Sequence, residues 1–210
     1  MTPSVPPNDS FCGGVRDETV PLRKKLYEVS LMTARTLTLR RGSVSWLTVS
    51  ALLMGTNIVL SLSVFSLPVP GGHLYFCDVV INTAAILLDP AAAFIVGGVG
   101  SFLGDFFFYP APMFVSLVTH GLQAVAVSVI AHRLRGKKPV LSSSLAVTVG
   151  AVIMVIGYTL GRAFVYSTPE YAVIKLPFEI LQGGFGAVAS IILLYPMRLR
   201  YAFQRILGRQ

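Results

Sequence analysis

Residues 42–77 read GSVSWLTVSALLMGTNIVLSLSVFSLPVPGGHLYFC and contain no charged side chain. The run without a cation continues to Arg133, and only Asp78, Asp89 and Asp105 interrupt it. A stretch of that length without Lys or Arg fits a solvent that does not hydrate charge, the hydrocarbon of a bilayer. The whole chain agrees. Its 210 residues are 54% hydrophobic and 12% charged, with a mean hydropathy of +0.72, whereas soluble domains are about a quarter charged. This make-up excludes a disordered chain, a secreted disulfide scaffold and a cytosolic enzyme. One membrane domain is expected.

A net charge of +8 invites a nucleic-acid reading, but the positions of the cations argue otherwise. Arg16, Arg23, Lys24, Lys25, Arg35, Arg40 and Arg41 precede the first apolar span. Arg133, Arg135, Lys137 and Lys138 form one interior cluster, and Arg198, Arg200, Arg205 and Arg209 close the chain. Only Arg162 and Lys175 fall elsewhere. This is the positive-inside pattern, and its clusters also attract anionic head groups, so membrane lipid is an expected partner. No aromatic and basic residues interleave as nucleic-acid surfaces require, so nucleic acid is not expected. Cys12 and Cys77 lack the spacing for zinc or redox chemistry, and no metal or cofactor is expected.

A hydrocarbon core of about 30 Å takes about 20 residues of helix at about 1.5 Å of rise per residue. The spans fall at about 45–67, 73–88, 89–108, 112–132, 142–166 and 171–197. Pro68, Pro70, Gly71 and Gly72 end the first. Asp89-Pro90 opens the third as N-cap and first helical residue. Tyr109-Pro110-Ala111-Pro112 separates the third from the fourth, and Pro177 marks a kink in the sixth. The expected fold is an all-α integral membrane bundle of six transmembrane helices over residues 43–197. Residues 1–42 are expected to be a cytoplasmic tail, disordered to about 22 and then able to form an amphipathic surface helix, and residues 198–210 a basic cytoplasmic tail. With both termini inside, fifteen of the seventeen cations lie on the inner side and the three outer loops carry none.

Gly97, Gly98, Gly100, Ser101 and Gly104 make a run of small residues that suits close helix packing. Ala51 and Gly55 form a second small pair on the first span. The polar residues of the last three spans share one depth. His120 lies about 12 Å below the outer end of span four, and Tyr158 and Glu179 lie at about the same level. Arg162 and Lys175 sit above, and Gln182 one turn deeper. His120 with Gln123, Tyr158 with Arg162, and Glu179 with Gln182 each share a helix face. Ionisable groups inside a membrane are costly, so this cluster is expected to bind a ligand, with Phe178 and Phe185 as an apolar wall. The structural alternative is an Arg162–Glu179 pair with His120 and Gln123 as interhelical glue.

Several stretches together carry a resemblance: Gly72-His73-Leu74-Tyr75-Phe76-Cys77-Asp78, Asp89-Pro90-Ala91-Ala92-Ala93, Gly97-Gly98-Val99-Gly100-Ser101, and Gly104-Asp105 followed by Tyr109. In order and spacing, over about residues 45–196, they resemble the substrate-binding S components of energy-coupling factor (ECF) vitamin transporters. The resemblance implies a non-enzymatic subunit of a prokaryotic plasma membrane that captures a vitamin or precursor from outside. It also implies docking onto an ECF coupling module, a transmembrane coupling protein with two ATPase subunits that hydrolyse ATP. Ala51 and Gly55 would match the family's Ala-xxx-Ala docking face. Gly71, Gly72 and His73 belong to an outer loop that would close over the ligand. Asp89 stands where the family often has Gly, a change expected to alter only the turn. Two other classes are weighed against this reading. A proton-coupled secondary transporter would lose uptake with the proton gradient rather than with ATP. An integral-membrane enzyme, using Asp78, Asp105, His120 or Glu179, would turn its ligand over.

Overall fold

The computed structural model describes residues 42–62, 65–70, 72–134, 138–200 and 203. The expected N-terminal tail, its surface helix, Gly71 and most of the basic C-terminal tail lie outside these residues.

Six helices of more than ten residues run through the described chain: α1 Val44–Leu60, α2 Cys77–Leu87, α3 Pro90–Phe108, α4 Met113–Arg133, α5 Pro139–Tyr166 and α6 Pro169–Leu194. Four of them, α3 to α6, are long and apolar enough to cross a membrane. The apolar helices α1 and α2 are shorter, and at about 1.5 Å per residue α2 covers only about half of a 30 Å core. The result is a helical, multi-pass membrane bundle.

The starts of these helices follow local chemistry. Ser43 caps α1, its side chain accepting from Trp46 N at 3.2 Å. Asp89 caps α3 by accepting from Ala91 N, with Pro90 at the first helical position, as the Asp-Pro pair predicts. Asp89 does more than shape a turn, however. Trp46 Nε1 donates to its other carboxylate oxygen at 2.6 Å, which ties the start of α1 to the start of α3.

Two expected spans need correction. The helix of span one stops at Leu60 rather than near 67, and the next helix starts at Cys77 rather than 73. Between them, strands β1 (Leu67–Val69) and β2 (Gly72–Leu74) pair antiparallel, Val69 opposite Gly72. The reason is proline. Leu67 and Val69 each precede one, and a residue before proline is pushed to extended backbone. Gly72 supports the reversal with φ 145, which a side chain rarely adopts.

The small residues of α3 pack against its neighbours, as their spacing predicts. A Cβ at Gly97 would lie 2.8 Å from the Ala124 Cβ of α4 and 2.9 Å from the His120 carbonyl. One at Gly104 would lie 2.7 Å from the Ser61 Cβ at the end of α1. Within this contact α3 loosens into a single π turn, Ile95–Val99. Asn57 Nδ2 of α1 donates to Val96 O there at 2.7 Å. The apolar core lies between α2, α4, α5 and α6, around Ile81, Val127, Val147 and Leu194. A second, smaller apolar cluster joins α1 to α2 and α3, with Trp46, Val49, Leu53 and Met54 of α1 against Ala84, Ala92 and Val96.

Candidate functional site

Antiparallel succession of the helices brings the β1–β2 hairpin, residues 109–112 and residues 167–168 to one end of the bundle. At that end lies a cavity of about 160 Å³. The hairpin reaches over it through Gly72 and His73, and α3 to α6 supply the walls. The residues of the opposite end include Arg133, Lys138, Arg198 and Arg200.

Five of the side chains placed at one depth by helical rise do line this cavity: His120, Tyr158, Arg162, Glu179 and Gln182. Arg162 Nη2 and Glu179 Oε1 form an ion pair of 3.3 Å between α5 and α6. Thr159 Oγ1 donates to the other Glu179 oxygen at 3.2 Å. The Arg162 guanidinium also stacks over the Tyr166 ring, 5.2 Å from its centroid. This last turn of α5, Arg162–Tyr166, is a π turn, a distortion common at functional sites. The His120 and Tyr158 rings meet edge to face with centroids 5.2 Å apart.

Lys175 fastens the hairpin. It is 2% exposed, and its Nζ donates to the His73 carbonyl at 2.5 Å. Gln182 Oε1 accepts from Tyr75 N at 3.0 Å, which holds the chain as it leaves β2. The hairpin therefore closes one mouth of the cavity through bonds to α6.

The remaining expected residues sit elsewhere. Gln123 is fully buried behind His120 and does not line the cavity; it bonds His120 and Asp78 instead. Phe178 is half-buried and also off the cavity, because it follows Pro177 on a different face of α6 from Glu179. Phe185 is 47% exposed and packs edge to face on Phe76. The aromatic lining comes from Tyr75, Tyr109, Tyr158 and Tyr166. Tyr75 lies outside the helices and reaches the cavity from the segment between β2 and α2. Asp105 of α3 also lines the cavity and accepts from Ser116 Oγ, which is 2.6 Å from Tyr158 Oη. Tyr75, Tyr109 and Tyr166 stand at the ends of their spans, where tyrosine is common whatever its role, so position along the chain carried no signal for them. Asp105 had a depth signal, since it lies one turn below the outer end of its span.

Ala51 and Gly55 are far from this cavity in sequence and in lining. Ala51 is exposed, and a Cβ at Gly55 would meet nothing within 4 Å. With Thr48, Leu52, Thr56 and Val59 they line a shallow apolar groove on α1.

Charges of both signs, the Gln182 amide and four phenol rings can together recognise a small, polar, partly aromatic molecule. Comparison with known proteins gives two further findings. Residues 42–199 match the family model described as ECF-type riboflavin transporter, S component. A Pyrococcus woesei protein, described as an uncharacterized protein in gap 3'region, is 31% identical over 136 residues, 64% of this chain and 89% of that protein.

Proposed function

The chain belongs to the ECF-type riboflavin transporter S-component family, and on that premise we propose that it is the vitamin-capturing subunit of an ATP-driven importer. It takes a water-soluble vitamin or precursor from outside a prokaryotic plasma membrane. It then delivers the ligand by docking on a coupling module of one transmembrane protein and two ATPase subunits, which supply the hydrolysis. The reading includes six crossings with both termini in the cytoplasm, α1 and α2 being completed by the adjoining extended residues. His120, Tyr158, Arg162, Glu179 and Gln182 bind the ligand, with Gly72 and His73 in the covering hairpin and Ala51 and Gly55 on the docking face.

The observation that carries the proposal is the cavity at the end whose connections carry no cation. An ion pair, a histidine and a carboxylate gathered under a latched hairpin exceed what helix packing needs, because intramembrane ionisable groups are costly unless they serve a function. The test is mass spectrometry of small molecules retained by the purified protein, followed by titration with riboflavin, the substrate that the family model names. A retained vitamin or precursor, released unchanged, is expected. Uptake by cells should survive a proton ionophore and stop on ATP depletion. Chemical turnover of the retained molecule, or uptake that collapses with the proton gradient alone, would sink the reading.

A further inference from the structure

The most deeply placed acid of this region does not face the cavity. Asp78, in the first turn of α2, is 1% exposed. Gly186 of α6 makes room for it, since a Cβ there would lie 2.5 Å from the Asp78 Cβ. Both carboxylate oxygens accept from side-chain amides: Gln123 Nε2 donates to Oδ1 at 2.9 Å and Gln182 Nε2 to Oδ2 at 2.8 Å. Each amide is thereby oriented with its oxygen pointing away from Asp78. The Gln182 oxygen accepts from Tyr75 N. The Gln123 oxygen lies 2.7 Å from His120 Nδ1.

An amide oxygen only accepts, so Nδ1 must be the donor in this bond. The Asp78 Oδ1 atom, 3.9 Å from Nδ1, favours a proton at the same position. In a neutral imidazole the second nitrogen then carries the lone pair. His120 lines the cavity while its Nδ1 is bonded behind it, which leaves Nε2 for the cavity.

We propose that Asp78 is a positioning residue that sets the hydrogen-bond polarity of this wall: through Gln123 it holds the proton of His120 on Nδ1, so that Nε2 accepts from an N–H or O–H group of the bound molecule. The inference rests on the cavity being the ligand site, and it narrows the ligand class. The edge that meets His120 carries a donor, such as a ring N–H or a hydroxyl, rather than a bare carbonyl. Asp78 itself touches no ligand. It acts as the fixed end of a chain of bonds, because a carboxylate cannot donate where an amide can, and its 2.9 Å bond to Gln123 Nε2 is shorter than the 3.4 Å bond that the same nitrogen gives to Asn82 Oδ1.

The test reads the proton directly and needs no ligand. Full-length protein labelled with 15N-histidine is placed in lipid nanodiscs, and two-bond 1H–15N spectra are recorded. His120 is assigned by the signal lost in His120→Gln. Wild-type protein is expected to show the Nδ1–H pattern. Asp78→Asn, whose amide can also donate, is expected to lose the single pattern and gain Nε2–H. Should that variant not fold, Gln123→Leu breaks the same chain and loses the single pattern likewise. With riboflavin as probe, Asp78→Asn is expected to bind about tenfold more weakly, because one ligand donor then faces a donor. A wild-type His120 carrying its proton on Nε2, or on both nitrogens, overturns the proposal. So does an unchanged pattern in a folded Asp78→Asn protein. A wild-type Nδ1–H pattern without riboflavin binding supports the role of Asp78 and counts instead against riboflavin as the ligand.

Discussion

Glu179 is 3% exposed and has both oxygens engaged, one by Arg162 and one by Thr159. A pair so placed holds two helices together whether or not it binds anything, so its two roles must be separated by measurement. Glu179→Gln keeps the shape and an acceptor for Thr159 but leaves Arg162 without its counter-charge, which costs a few kcal/mol when buried. Binding of the retained ligand is expected to weaken tenfold or more, while His120→Ala weakens it without touching that pair. Calorimetry on both variants beside melting curves decides the matter: unchanged affinity with a lowered melting temperature would mean that the residues only brace the bundle. Depth was legible in the sequence here, because helical rise is fixed and brought five residues of three helices to one cavity. Direction around the helix was less so. Phe178, next to Glu179, points off the cavity, and Gln123, three residues past His120, turns behind it to meet Asp78. Partner choice in such a case depends on which helix lies alongside, and no spacing within one segment encodes that.

At the scale of elements, the proposed reading gives the hairpin the role of a cover and the Ala51/Gly55 face of α1 the role of a docking surface. Lys175 reaches the His73 carbonyl with a charged donor, a stronger bond than its neutral equivalents. Lys175→Met should therefore loosen the hairpin and speed ligand release several-fold, with the association rate little changed. Stopped-flow dissociation measures this, and an unaltered release rate would show that the hairpin is not the exit. On α1, Gly55→Leu is expected to abolish assembly with the coupling module and leave ligand binding intact, since a Cβ there meets none of the described residues within 4 Å. Loss of binding as well, in a titration of the isolated subunit, would show the face to be internal. Helices α3 to α6 were readable from apolar length and from Asp89-Pro90, because those signals are local. The hairpin was not legible, because two X-Pro pairs followed by glycines end a helix as readily as they favour extended backbone, and neither proline encodes the pairing partner.

The molecule as a whole is polarised, with the cation-free connections and the cavity at one end and the basic residues Arg133, Lys138, Arg198 and Arg200 near the other. Such asymmetry sets orientation, because short cationic loops resist transfer across the membrane whereas neutral ones pass. The alternative orientation would carry the 133–138 cluster outward and turn the mouth of the cavity to the cytoplasm, where an importer has nothing to capture. Single cysteines test this in a chain whose native Cys12 and Cys77 are replaced by serine and alanine. Ser167→Cys, in the connection between α5 and α6, is expected to react with a membrane-impermeant thiol reagent added to intact cells. Leu134→Cys, 52% exposed at the end of α4, should react only after the cells are opened. Four helices are long enough to cross and alternate in direction, so these two sites lie on opposite sides whatever α1 and α2 do. Labelling of position 134 in intact cells, with 167 protected, would invert the bundle and remove the outward-facing site on which capture depends. Labelling of both would mean that α5 does not cross, and the bundle itself would have to be redrawn.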